Sequence, residues 1–273
     1  MTEEIQIAVE GGVQVIRFLR PEKKNAFTGP MYDAMSAALD AAETNDAIAV
    51  HVFIGSGGVF SAGNDINDFL RRAEAAAQGD GKGDGKGIPA PSLDFIRRLP
   101  KVTKPMIAAV DGLAIGVGTT LLFHCDLVYA TPAASLRTPF LDLGLVQEAG
   151  SSLTAPARLG YPRAFELICL GEPFGAERAL QAGLVNAVVP ADKLEATALA
   201  AARRLAAKPR QALMTSRRLL RRNQAEIGAA IDEEAQAYAA LMHSPEAREA
   251  FTAFLEKRPP DFAKARKKAE GRG

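Results

Sequence analysis

The sequence has little that would tie it to a metal, a membrane or a polyanion. Cys125 and Cys169 are its only cysteines, and their separation fits neither a metal-ligand spacing nor a disulfide framework. His51, His124 and His243 are scattered, so no metal site is expected, and His124 beside Cys125 reads as a buried helix end. No apolar run approaches the roughly 18 residues that a membrane helix needs. The net charge of +1 supplies no overall field for nucleic acid or an acidic surface. The opening MTEEIQIAVEGG is acidic and lacks an apolar signal core, so a cytoplasmic protein is expected. No G-x-S-x-G occurs, which removes the usual signature of a triad hydrolase.

Two glycine-rich stretches invite a nucleotide-loop reading and do not support it. After Gly55 and Gly57 a dinucleotide fingerprint requires glycine at position 60, which is Phe60. After Gly116 and Gly118 it requires glycine at 121, which is Leu121, and neither stretch carries a G-K-[ST].

The 273 residues, 48% hydrophobic and 24% charged, suit a globular chain of one large or two smaller domains. IQIAVEGGVQVIRF reads as two short strands joined at Gly11-Gly12. TGPMYDAMSAALDAAE reads as a helix, with Thr28 as a possible cap and Pro30 in its first turn. AIAVHVFIGSGG and KPMIAAVDG read as buried strands, IGVGTTLLFHCD and INDFLRRAEAAA as helices, and LVYAT and ASLRT as further strands. Strands alternate with helices to about Pro190, which predicts an α/β core over residues 1–191. Four helical stretches then predict a helical domain over 192–273, ending in KARKKAEGRG as a frayed tail. Residues 78–91, with five glycines in the ten from Gln78 to Gly87, read as a mobile insertion without a core.

Both glycine turns carry the chain from a strand toward a helix, where backbone N–H groups lack partners at a positive dipole end. Two such groups converging on one point make an oxyanion hole. The glycines would equally let strand and helix pack closely. Separately, Glu148 follows the apolar run Leu143–Val146 and is followed by Ala149, Gly150, Ser151 and Ser152, an unusual setting for a surface carboxylate.

At these turns the sequence resembles the crotonase (enoyl-CoA hydratase/isomerase) superfamily. The matching segments are RPEKKNAF, FSAGNDI, KPMIAAVDGLAIGVGTTLLFHCDLVYA, TPFLDLGLVQEAGSS, LGEPFGAERALQAGLVNAVVP and AFLEKRPPDF, in order along nearly the whole chain. The resemblance implies a spiral of ββα units with a C-terminal helical trimerisation domain. It also implies a homotrimer or a hexamer of paired trimers, and an acyl-CoA thioester as substrate. No separate cofactor is implied, because coenzyme A enters with the substrate. The oxyanion donors would be the backbone N–H groups of Asn64 and Val117, the latter replacing a more usual glycine. Contacts to coenzyme A would fall at Lys24, Ala26, Ala62, Asp65 and Ile66, with Phe254 and Lys257 reaching a neighbouring subunit.

Hydration of a double bond calls for two acid–base groups. The positions where the resembled hydratases carry glutamates hold Thr120 and Phe140 here, and neither titrates near neutrality. Glu148, eight residues past Phe140, matches the single glutamate of the peroxisomal-type 3,2-enoyl-CoA isomerases. That branch usually has proline where this chain has Gln147. The resemblance therefore implies that Glu148 moves one proton from carbon 2 to carbon 4 of a 3-enoyl-CoA. Enoyl-CoA hydration is the runner-up, with Asp65 and Asp142 as the first candidates for a second acid. An RNA-binding crotonase branch is the rival from another class; its support would be Arg203-Arg204, Arg217-Arg218 and Arg221-Arg222, which read more simply as solvated faces or subunit contacts. No nucleic-acid or membrane partner is expected.

Overall fold

The computed structural model describes residues 2–66 and 90–270. Strands β1 (Ile5–Glu10) and β2 (Val13–Phe18) form the expected antiparallel hairpin, with Glu10 opposite Val13. The Gly29–Glu43 helix crosses over to β3 (Val50–Gly55), which lies parallel to β2. From there the chain feeds two sheets in turn. β4 (Met106–Val110) joins β3, while β5 (Leu113–Ile115) starts a second sheet. β6 (Leu127–Ala130) and β7 (Ser135–Arg137) repeat that division, and β8 (Phe174–Gly175) and β9 (Ala187–Val188) complete it. The large sheet has the order β1-β2-β3-β4-β6-β9 and the small one β5-β7-β8. This alternation between layers is the spiral.

The strand sequences explain the layering. β3 and β4 are almost continuously apolar and buried, as parallel strands covered on both faces must be. Alternate side chains then serve two cores. Phe53 and Ala108 face inward with Phe18, Phe27, Phe60, Met31 and Met35. Val50, Val52, Ile54, Ile107 and Ala109 face the opposite way, against Leu194, Ala198 and Ala202 of the Ala191–Ala206 helix. The first helix of the C-terminal region thus covers the outer face of the large sheet.

Four local expectations need correction. Thr28 occupies the cap position, yet its hydroxyl donates to Glu4 Oε2 at 2.9 Å and does not cap. The helix after Gly116 is one α-turn, Val117–Thr120, continued as a 3-10 turn, Leu121–His124, so a macrodipole adds little there. Lys264–Glu270, expected to fray, belongs to a helix, Phe262–Glu270, because Asp261 Oδ1 accepts the Lys264 N–H at 2.9 Å and caps its start. Arg217 is buried, bonded to Asp126 Oδ2 at 2.8 Å and to the Val102 carbonyl, and Arg221 is half-buried and donates to the His124 carbonyl; neither is a fully solvated charge. The Ala90–Arg98 helix takes in the last two residues of the expected insertion; the remainder, and INDFLRRAEAAA after Ile66, lies outside the described residues.

Candidate active site

Two turns meet at the edge of the small sheet. Ser61 N–H donates to the Leu113 carbonyl and Ile115 N–H to the Ser61 carbonyl, each at 2.9 Å, so Ser61 pairs with Ala114 in parallel register. Two residues further along the first turn, Gly63 packs against Ile115 and Gly116, just ahead of Asn64 and Val117. Gly63 makes this approach possible, since a Cβ there would lie 2.6 Å from the Ile115 carbonyl oxygen. Among the described residues neither the Asn64 nor the Val117 N–H has an acceptor, and Val117 is the first residue of its helix, where none is available within the helix. The Asn64 side chain is pinned by the Tyr32 hydroxyl at 2.6 Å.

A third segment, Lys24–Phe27, lies against the first turn. Ala62 N–H donates to the Lys24 carbonyl, Phe27 N–H to the Gly63 carbonyl, and Asp65 N–H to the Phe27 carbonyl. The segment is shaped by Lys24 and Asn25, both in left-handed conformation at φ 53° and 52°. Asn25 holds it: its amide donates to the Ser56 and Val59 carbonyls and its Oδ1 accepts the Arg20 N–H. Backbone bonds thus place Lys24 and Ala26 against the Ala62–Asp65 segment, with Ile66 next in the chain, while Val117 follows the Ile115–Gly116 stretch that Gly63 packs against. Lys24 is exposed, Ala26 nearly buried, and Ile66 rests on the core. Asp65 has its carboxylate on Arg20 at 2.7 Å. Phe254 and Lys257 stand exposed at and beyond the end of the Pro245–Leu255 helix, with no hydrogen bond to this group among the described residues.

Glu148 is 2% exposed. Its neighbours are small because the turn leaves no alternative: Ala149 and Gly150 sit at φ 61° and 68°, and a Cβ on Gly150 would fall 2.8 Å from Ile227 Cγ2. The Thr120 hydroxyl lies 3.5 Å from Glu148 Oε1. Thr120 is the last residue of the single α-turn that Val117 opens, so the turn that begins with Val117 ends against the Glu148 carboxyl. Burial, then the charge of Glu234, push the Glu148 pKa up to about 8, with the Thr120 hydroxyl opposing. Tyr238, buried on the Gln224–Met242 helix, feels the Glu148 charge in turn, and burial first and that charge second raise its phenol well above the ordinary value.

The turn is held from both sides. Ser151 N–H and Oγ donate to the Glu148 carbonyl, and His124 Nε2 lies 2.7 Å from the Ala149 carbonyl. Glu234 accepts the Gly150 and Ser152 N–H groups at 2.6 and 2.7 Å. Sequence reasoning missed Glu234, Tyr238 and the clamp by His124. A signal existed: Ile227, Ile231, Glu234 and Tyr238 fall on one buried helical stripe, and a glutamate inside such a stripe is out of place. The reserve acids fare worse. Asp65 is paired with Arg20, and the exposed Asp142 with Arg137 at 3.0 Å, so neither is placed as a second acid for Glu148.

Residues 8–265 match the enoyl-CoA hydratase/isomerase family. The chain belongs to that family. It is 34% identical over 256 residues to enoyl-CoA delta isomerase 2 of Rattus norvegicus, an alignment covering 93% of this chain and 64% of that protein, so the chain spans just under two thirds of that relative. It is 32% identical over 260 residues to the 2,3-dehydroadipyl-CoA hydratase of Escherichia coli (strain K12), covering 95% of this chain and 98% of that one. A solved enoyl-CoA hydratase/isomerase from Pseudoalteromonas atlantica T6c superposes with a TM-score of 0.87 at 34% identity, over 95% of this chain and 100% of that one. The fold is thus that of the crotonases, and an acyl-CoA substrate is consistent with the family. An isomerase and a hydratase stand at similar identity, so the reaction must be argued from the site. Among the described residues no helix is long and apolar enough to cross a membrane, and no three His, Cys, Asp or Glu residues are grouped to hold a metal.

Proposed function

We propose that this enzyme moves the double bond of a 3-enoyl-CoA to give the trans-2-enoyl-CoA, with Glu148 as the single proton carrier. The observation that supports this is the setting of Glu148: a buried carboxyl with raised proton affinity, facing a hydroxyl where a hydratase has a second acid. The thioester acidifies carbon 2. Glu148 removes a proton there, the electron pair delocalises onto the thioester oxygen as a dienolate, and the N–H groups of Asn64 and Val117 hold the oxyanion. Glu148 then returns the proton at carbon 4, leaving the double bond between carbons 2 and 3. A base with a pKa near the working pH both accepts and releases a proton without a large penalty.

Hydration would need a second group to handle water. Among the described residues, the titratable groups facing Glu148 are Glu234, whose two oxygens already accept backbone N–H groups, and Tyr238, whose proton is held more tightly than in water. The deciding assay compares turnover of a 3-enoyl-CoA with hydration of crotonyl-CoA. Fast isomerisation with slow hydration is expected; brisk hydration would overturn the reading.

We further infer an assembly of three or six copies, in which Phe254 and Lys257 reach the coenzyme A of a neighbour. Leu220 and Leu255, both in the C-terminal helical region, are 87% and 57% exposed, and an interface between copies would cover them.

A further inference from the structure

Glu234 is 5% exposed, and among the described residues no lysine or arginine pairs with it. Its only hydrogen-bond partners there are backbone and side-chain groups of the turn that follows Glu148: Gly150 N–H at 2.6 Å and Ser152 N–H at 2.7 Å, with the Ser152 side chain also engaged. Two diverging N–H groups are matched by the two oxygens of a carboxylate; the amide of glutamine offers only one acceptor. An anion without a cation is a costly way to hold a turn, and its sign is the same as that of the neighbouring base.

We propose that Glu234 is a positioning residue for Glu148: it clamps the Glu148 turn through Gly150 and Ser152 and sets a like charge beside the base. The inference rests on the reading of Glu148 as the proton carrier. Of the two carboxyls, Glu234 ionises first, because two N–H groups stabilise its anion whereas Glu148 has one distant hydroxyl. Once Glu234 is ionised, Glu148 holds its proton to higher pH. Among the described residues, the other titratable groups around the turn do not supply this charge: Glu233 is felt at Glu234, whereas Glu234 is the carboxylate felt at Glu148. Burial keeps His124 neutral, at a pKa of about 3, and Tyr238 stays protonated well above neutrality.

The test is an infrared titration of protein carrying carbon-13 at the glutamate carboxyls, with the Glu148 band assigned by its loss in Glu148→Gln. In the wild type the Glu148 band should move twice as pH rises, once when Glu234 ionises and again when Glu148 does. In Glu234→Gln the Glu148 midpoint should fall by about one pH unit or more, and the acid limb of the rate profile should move down with it. Maximal kcat should drop roughly tenfold or more with little change in KM, because the turn is looser. Glu234→Asp, which keeps the charge, should retain most of the high midpoint. An unmoved midpoint in a folded Glu234→Gln, or a single transition in the wild-type band, would overturn the proposal. The wild-type titration serves even where a variant does not fold. It also reads Glu148 without turnover, so a protein inactive on 3-enoyl-CoA would sink the proposed reaction and still leave this inference decided.

Discussion

A proton held by Glu148 to about pH 8 has consequences for both rate and stability. On the proposed reaction the base must be ionised to start, so kcat/KM on a 3-enoyl-CoA should climb with pH through neutrality, pass its midpoint near 8 and level off above that. A profile already flat from about pH 6 would show that the free enzyme's base titrates elsewhere. Glu148→Gln should lower kcat by ~10²–10⁴-fold with little change in KM. The same substitution should stabilise the protein. Between the ordinary carboxylate value of 4.5 and about 8 the folded state keeps a proton that the unfolded chain has lost, so wild-type stability falls as pH rises through that window. The Tm of Glu148→Gln should therefore exceed that of the wild type by more near pH 9 than near pH 6. The unusual setting of Glu148 was legible in the sequence because the apolar and small residues around it are its immediate chain neighbours. Glu234 was not, since 84 residues separate it from the Gly150 it holds, and nothing in one sequence measures that contact.

At the scale of elements, the hairpin, β3, β4 and the long C-terminal helices follow from apolar periodicity and turn glycines. The break of the helix after Thr120 is not marked in the local pattern, and the order of the last helix rests on a short-range cap, Asp261 on Lys264, that the apolar periodicity does not reveal. The Lys24–Phe27 segment is the clearest case. Its shape depends on one side chain, Asn25, reaching Ser56 and Val59. Asn25→Ala would leave those carbonyls and the Arg20 N–H without their partner. We expect a loss of roughly 2–4 kcal/mol in urea unfolding, since each buried group left unpaired costs about 1–3 kcal/mol. A change within about 0.5 kcal/mol would show that the segment is held by its backbone pairing alone.

For the whole molecule, acid is the expected weakness. His51 and His124 are buried, and that burial, ahead of nearby cationic groups, lowers both to a pKa of about 3. Folded, they stay neutral; unfolded, they take up protons near 6.5, so the stability they allow is complete above that value and drains away as pH falls toward 3. Unfolding free energy should thus decline between pH 6.5 and about 4, and His51→Gln, which can keep a bond to Gln14, should show a shallower decline. An equal slope in both proteins would assign the acid loss to other groups. Assembly is tested by light scattering at micromolar concentration, where three or six copies are expected; a stable monomer would remove the cross-subunit roles of Phe254 and Lys257.

The pairing of Ser61 with Ala114 has a genetic consequence. If the charge-holding groups of the reaction are the main-chain N–H groups of Asn64 and Val117, they survive almost every codon change at those positions, and an alanine scan passes over them. Proline is the exception, and Val117, at the first position of its helix, is where proline fits a helix best. Val117→Pro should keep a near-native Tm and lose ~10²–10³-fold in kcat. A lineage can then rewrite the side chains around this cradle, and with them its chemistry, while the machinery for stabilising the enolate is inherited with the backbone.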